Sequence, residues 1–402
     1  MSKCFLDLEQ IMSDRDRLKI KLVFMISSNL MEWGGMEHVL REYVSNKSDK
    51  VDIVIVQPVD AEYKRVSENF IKENFNHVKI ISIRYPFSKF NFLKKTRFGF
   101  LFVEAIFMPI LGFLNKSLLN RNFFFEIGEP DIIYFFNKSD APAYFRRMKN
   151  VLLVGSDHAS GLRKTDLFKA IQIKLVKYRL ILRNIDVFHL FPPSDNLSQY
   201  IRSFSLPNGV DIGKFTHKSG KSETVRLLFL ARLEECKGVP LVLEIWEQIR
   251  LKAEVELNIA GSGRMESLVR SIKDLKFKYF GFIEENDLPK LISQCDIFIY
   301  PSTCDNYPLV ILQALSSGLY VITNEMIASS FREFERIGQV KVVENKPSKY
   351  LEAINHYLEN GRTFDLNESR AICISKYDWK VISEKLYEEL LTAYYRKTGL
   401  YQ

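Results

Sequence analysis

The sequence predicts an α/β protein built from two doubly wound, Rossmann-like domains in succession. Three observations carry this. Short β-branched and aromatic runs recur through the 402 residues, separated by stretches long enough for helices. Most of these runs are continuously apolar rather than alternating, as strands of a parallel sheet covered on both faces are. They also fall into two series, parted by the turn signal Leu206-Pro207-Asn208-Gly209.

The first series comprises 19–26, 51–57, 78–84, 131–137, 151–155 and 185–191. The second comprises 226–231, 255–260, 277–282, 296–300, 319–323 and 339–343. Two runs of strand–helix units imply two open parallel sheets, and such sheets bind ligands at the C-terminal ends of their strands. Two sheets facing each other place a ligand in the cleft between them.

Composition narrows the classes. Apolar residues make up 47% and charged residues 26%, which excludes disordered, collagen-like and coiled-coil chains. The net charge of +8 is uneven. Residues 1–205 hold 31 Lys+Arg against 22 Asp+Glu, and the remainder holds 26 against 27. The basic half suits an anionic partner such as a phospholipid surface or a phosphorylated substrate. Nucleic acid is not expected, because no arginine-rich tract, zinc-finger spacing or RNA-recognition motif is present. The cysteines Cys4, Cys236, Cys295, Cys304 and Cys373 are scattered without a CxxC pair. This speaks against a disulfide framework and a zinc site and fits a reducing compartment. The mixed-charge start, MSKCFLDLEQIMSDRDR, is not a signal peptide. Its Asp14-Arg15-Asp16 spells a DxD metal signature but precedes the first strand, so no metal is expected from it.

Residues 97–120 are apolar and Phe-rich, and eleven of the 31 phenylalanines lie between Phe87 and Phe125. The apolar stretch 98–114 contains Glu104 and Pro109 and falls short of the about 20 residues that span a bilayer. Lys94, Lys95 and Arg97 flank it on one side, Lys116 and Arg121 on the other. Two readings stand. One is a membrane-touching segment with cations on lipid phosphates. The other is a buried helix broken at Pro109.

Four motifs carry chemistry. After the first strand, Gly34 and Gly35 open a predicted helix whose free N–H groups attract phosphate. In LLFLARLEECKGVPLVLE, Arg232 follows a strand and Lys237 precedes a helix, so a planar fork and a point charge can converge on one diphosphate; two surface cations are the other reading of this stretch alone. In LNIAGSGRMESL, Gly261 and Gly263 make a tight turn, but Glu266 takes the place of a third glycine, so this is not a dinucleotide fingerprint. In CDIFIYPSTCDNYPLVILQALSSG, a buried strand ends at Pro301-Ser302. Asp305 follows on a polar loop, and an apolar helix starts near Pro308. Gln313 lies among aliphatic residues of that helix and needs a specific partner.

Together these motifs resemble, in order and spacing, the retaining glycosyltransferases of family 4, which have the GT-B fold. The matching residues are Gly34-Gly35-Met36-Glu37, Pro207 through Asp211 with Phe215, Ala231-Arg232-Leu233 and Lys237-Gly238. Ala260 through Gly263, Gly281-Phe282, Asp296 through Ser302, Asp305 through Ala314, and Tyr377-Asp378-Trp379 also match. The resemblance starts near Lys19 and is most specific over 206–325.

The resemblance implies an N-terminal extension at 1–18 and an acceptor-binding domain at 19–205. It implies a nucleotide-sugar-binding domain at 206–378 and a helix at 379–402 that returns to the first domain. Arg232 and Lys237 would bind the donor diphosphate. Backbone groups at Tyr307, Pro308, Leu309 and Val310, with Gly34 and Gly35, would complete the phosphate cradle, and Gly261, Gly263 and Phe282 would line the donor side. Asp305 stands where the family has a Glu that contacts the donor sugar, and Gln313 where it has a Glu that holds the ribose hydroxyls. His158 falls where the family has a His facing the sugar; a structural loop histidine is the other reading.

The implied activity is retaining transfer of a hexose-type unit from a nucleotide sugar, UDP-linked first and GDP-linked second, with neither cofactor nor metal. With the basic first half, the expected acceptor is a lipid-linked glycan of bacterial surface polysaccharide, O-antigen or capsule. The expected location is the cytoplasm, peripheral on the inner face of the cytoplasmic membrane, with its anionic surface as a partner. Asp is one methylene shorter than Glu and Gln lacks its charge. A weakly active or inactive nucleotide-sugar-binding scaffold therefore stands as one rival, and a sugar-nucleotide epimerase of the same architecture as another.

Overall fold

A computed structural model describes residues 19–26, 35–58, 75, 78–83, 127–136, 148–156, 185–192, 202–216, 224–252, 254–305 and 307–400. The extension 1–18, the Phe-rich segment 97–120, Gly34 and His158 lie outside these residues. The chain divides into two compact units. One comprises Met1–Leu190, Ser194–Leu206 and Ser383–Gln402; the other comprises Phe191–Pro193 and Pro207–Ile382.

The first unit holds a seven-stranded parallel sheet of β1 (Ile20–Met25), β2 (Val51–Pro58), β3 (Lys79–Ile83), β4 (Ile132–Phe135), β5 (Leu152–Ser156), β6 (Val187–Leu190) and β7 (Ser203–Ser205). The strand order is β3-β2-β1-β4-β5-β6-β7. Val23, Met25, Val54, Val56, Ile133, Phe135 and Leu153 share one apolar cluster. Phe24 and Tyr134, on the intervening positions, meet each other at 5.4 Å, and Phe24 stacks on Tyr43 of helix α1 (Gly35–Ser45). Successive side chains thus bury on opposite faces, which is why the strands read as continuous apolar runs.

The second unit holds β8 (Val225–Leu230), β9 (Val255–Ala260), β10 (Phe277–Tyr279), β11 (Ile297–Tyr300), β12 (Tyr320–Thr323) and β13 (Val340–Val342). They pair in parallel in the order β10-β9-β8-β11-β12-β13. Leu228, Leu230, Phe298, Tyr300 and Val321 bury on one face, and Leu227, Phe229, Ile297, Ile299 and Ile322 on the other. Helix α2 (Val239–Ile249) covers the second face with Val239, Val242, Ile245, Trp246 and Ile249, a stripe at helical spacing. Helix α3 (Leu309–Ser316) covers the first face with Ile311, Leu312, Ala314 and Leu315.

The expected α/β fold with two Rossmann-like domains is therefore the observed one. Two details differ. β10 is shorter than 277–282, because Gly281 turns the chain at φ 70° and leaves Phe280 and Phe282 exposed. β7 was not expected, since Ser-Phe-Ser is a short edge strand with one buried side chain.

One device recurs in both sheets. An aspartate just before a strand closes the N-terminal end of the neighbouring one. Asp131 accepts from Lys21 N at 2.8 Å, Asp186 from Leu153 N at 2.9 Å and Asp296 from Arg226 N at 2.9 Å. Each gives a backbone donor at the sheet's rim a charge-assisted partner. Two of these aspartates also receive helix α4 (Trp379–Thr398). Tyr394 Oη donates to Asp131 at 2.7 Å, and Lys397 Nζ to Asp186 at 2.5 Å. With Tyr387 Oη on Tyr43 O at 2.6 Å, they anchor Ser383 onward in the first unit. Among the described residues, no helix is long and apolar enough to cross a membrane.

Candidate functional site

The candidate site lies at the C-terminal ends of β8, β9 and β11, where an open parallel sheet presents its loops. Past β8 the chain runs through Ala231-Arg232-Leu233 into a single 3-10 turn, Glu235–Lys237, and then into α2. Gly238 joins turn and helix at φ 87°, and its missing side chain matters twice. An L residue is strained there, and a Cβ would sit 2.5 Å from Pro301 Cγ. The bare glycine lets the turn bearing Lys237 rest against the end of β11.

The neighbouring loop is fitted in the same way. A Cβ on Gly261 would lie 1.8 Å from Ala231 O, and one on Gly263 2.6 Å from Leu233 O. Backbone bonds lock the two loops together, Leu233 N to Ser262 O at 2.9 Å and Met265 N to Leu233 O at 2.9 Å. The two glycines therefore let one loop pack on another. The loop after β11 is held from behind by Asn345 on Pro301 O at 2.9 Å and Asn324 on Ser302 O at 2.8 Å.

This scaffold brings Lys237 and Asp305 together. Lys237 Nζ donates to Asp305 Oδ1 at 2.5 Å, with both side chains mostly buried. Tyr300 Oη and Ser302 Oγ each donate to Oδ2 at 2.6 Å. Burial alone raises the Asp305 carboxyl, but the Lys237 ammonium and the bonds from Lys237, Ser302 and Tyr300 outweigh it, so it sits below the usual carboxylate range. Burial, reinforced by Asp305, pushes the Tyr300 phenol well up, so it stays a donor. The result is a carboxylate saturated with donors beside one buried ammonium.

The remaining expected residues are placed as follows. Arg232 is exposed and forms no ion pair among the described residues. Tyr307 is buried between Phe191 and Phe331, with ring centroids at 6.0 and 4.9 Å. Pro308 caps α3, and Leu309 and Val310 form its half-buried first turn. Gln313 is buried on α3, and its Oε1 makes no hydrogen bond among the described residues. Phe282 is half exposed beyond β10. Gly35 begins α1 in the first unit. Sequence reasoning missed Tyr300 and Ser302 as the residues that hold Asp305. Tyr300 read as strand core, and only its hydroxyl at the strand's end marks it.

Comparison with known proteins agrees with this fold. Residues 224–360, a third of the chain and most of the second unit, match the family described as Glycosyl transferases group 1. An uncharacterized glycosyltransferase of Methanocaldococcus jannaschii is 23% identical over 169 residues, covering 40% of this chain and 43% of its own. The chain spans less than half the length of the curated relatives it matches. Anabaena HepE, solved with UDP and glucose, superposes with a TM-score of 0.64 at 15% identity over 93% of this chain and 100% of its own. WaaG, a glycosyltransferase involved in lipopolysaccharide biosynthesis, superposes with a TM-score of 0.62 at 14% identity over 92% of this chain and 99% of its own. The fold is thus that of GT-B glycosyltransferases. The family match and the fold together support a glycosyltransferase.

Proposed function

We propose that the protein is a retaining glycosyltransferase that takes a hexose-type unit from a nucleotide sugar, UDP-linked first, and passes it to a hydroxyl of a lipid-linked glycan. The observation that carries this is the buried Lys237 ammonium at the end of β8, on the segment that matches the group 1 family.

In this reading the bond from the anomeric carbon to the diphosphate breaks first. The sugar gains oxocarbenium character, and negative charge grows on the departing phosphate. Lys237 and the exposed Arg232 supply fixed positive charge to it. The leaving phosphate oxygen accepts the acceptor's proton on the face it vacates, so configuration is retained. No carboxylate nucleophile is required, in contrast with retaining glycosidases. Gln313 Oε1, buried and without a hydrogen bond among the described residues, is the acceptor offered to the ribose hydroxyls.

UDP is favoured because HepE binds UDP and UDP-glucose. A surface-polysaccharide acceptor is favoured by the likeness to WaaG and by the basic first half. Two experiments test the reading. UDP, GDP and ADP are compared by thermal shift, with UDP expected to raise the melting point most. The chain is then incubated with UDP-sugars, from which free UDP is expected to appear even without acceptor, by slow hydrolysis. A chain that binds UDP and releases none would be a scaffold instead.

A further inference from the structure

The Lys237–Asp305 pair has a second pair as its sequence neighbours, Cys236 and Cys304. Both are free thiols, Cys236 exposed and Cys304 half-buried, while Cys295 and Cys373 are buried. The two segments are already fastened together, with Thr303 N and Thr303 Oγ1 donating to Cys236 O at 2.8 and 3.1 Å. Thr303 adjoins Cys304, so these two bonds set Cys304 beside Cys236. Ser302, which holds Asp305, also has its Oγ 3.7 Å from Cys304 Sγ. Two accessible thiols on bonded segments, 68 residues apart in sequence, make a dithiol built by the fold.

We propose that Cys236 and Cys304 form a reversible dithiol–disulfide pair whose closure shuts off the donor site. The oxidant is a low-molecular-weight disulfide of the glutathione class. One cysteine thiolate attacks it, forming a mixed disulfide and releasing one small thiolate. The second cysteine displaces the other small thiolate and completes the Cys236–Cys304 bond. Two thiols and one small disulfide give one protein disulfide and two small thiols. The two protein electrons pass to the small disulfide, and the two protons to its released thiolates.

The physical consequence follows from which segments are joined. Closing an S–S bond of about 2.05 Å draws the 3-10 turn onto the loop after β11. Lys237 and Asp305 ride on those two segments. The cross-link fixes the turn and keeps the ammonium on the carboxylate, away from an incoming diphosphate. Desolvation, then the neighbouring Cys304 thiol, push the Cys236 thiol up to about 11, so exchange accelerates as pH rises.

This inference rests on the donor reading of Lys237 and Asp305, and its test separates the two. The full chain is treated with oxidised glutathione at mildly alkaline pH, digested without reductant and analysed by mass spectrometry. Release of UDP from a UDP-sugar is followed in parallel. A cross-linked Cys236–Cys304 peptide is expected, with turnover at least about tenfold slower and restored by dithiothreitol. Cys236→Ser and Cys304→Ser are expected to keep basal turnover and to ignore the oxidant. Separate glutathione adducts without the cross-link would overturn the proposal, as would a cross-linked chain with unchanged turnover. A chain that turns over no UDP-sugar in either redox state overturns both the donor reading and the shut-off, while the cross-linked peptide still decides the thiol pair.

Discussion

Lys237 and Asp305, 68 residues apart in the chain, meet at 2.5 Å at the C-terminal edge of the second sheet. Their partnership makes each depend on the other. Removing one member of a buried pair leaves an uncompensated charge, which costs about 3–5 kcal/mol. Lys237→Ala is expected to lower turnover at least about 100-fold while the fold persists. Asp305→Ala is expected to lower stability by a similar amount to Lys237→Ala, and the double variant by much less than the sum. Urea denaturation of the four proteins checks this coupling, expected at about 1–3 kcal/mol.

Gly261 and Gly338 both have positive φ, 127° and 79°, but their surroundings differ. A Cβ on Gly261 would collide with Ala231 O at 1.8 Å, whereas one on Gly338 meets nothing within 4 Å. Gly338→Ala is expected to cost about 1 kcal/mol, the strain of the left-handed backbone alone. Gly261→Ala is expected to cost more than about 4 kcal/mol, because backbone must move. Thermal melting of the two variants should separate by many degrees.

Gln313 carries a buried oxygen that finds no donor among the described residues. Such an atom weakens the unliganded protein and rewards a ligand that supplies a hydroxyl. Gln313→Leu is therefore expected to raise the melting point without ligand and to shrink the stabilisation given by UDP. A variant that loses melting temperature and keeps its full response to UDP would contradict the ribose role.

His189 is fully buried between Tyr134 Oη at 2.6 Å and Leu206 O at 3.0 Å. Nε2 donates to the carbonyl, so Nδ1 accepts from the tyrosine and the ring is neutral. Burial, opposed by the bond to Leu206 O, lowers its pKa to about 4. An unfolded histidine takes up its proton near 6.5, so stability is full above that pH. It falls as pH drops from about 6.5 to about 4 and then levels, a total loss of roughly 3 kcal/mol. Denaturant titrations across this window should show the slope, and His189→Gln should flatten it.

The sequence by itself settled the architecture, because strands covered on both faces must be apolar throughout. The runs at 255–260 and 296–300 therefore read correctly within a residue of β9 and β11. It also placed Pro308 at the start of α3 and the glycine turn after β9. It missed β7, where two of three residues are serine and only Phe204 is buried. Sequence patterning follows burial, and β7 has little of it.

What the tertiary structure alone decided is which polar groups meet. Lys237 and Asp305 each read as a residue aimed at the donor, and nothing in their spacing joined them. Their contact exists because Gly238 packs on Pro301 and because β8 and β11 are neighbours in the sheet though far apart in the chain. The same packing brings Tyr300 and Ser302 onto the carboxylate and Thr303, next to Cys304, onto Cys236 O. Hydrophobic periodicity is written along the chain, residue by residue. Electrostatic partnership depends on distances of a few ångströms between strands, and only the folded register sets those.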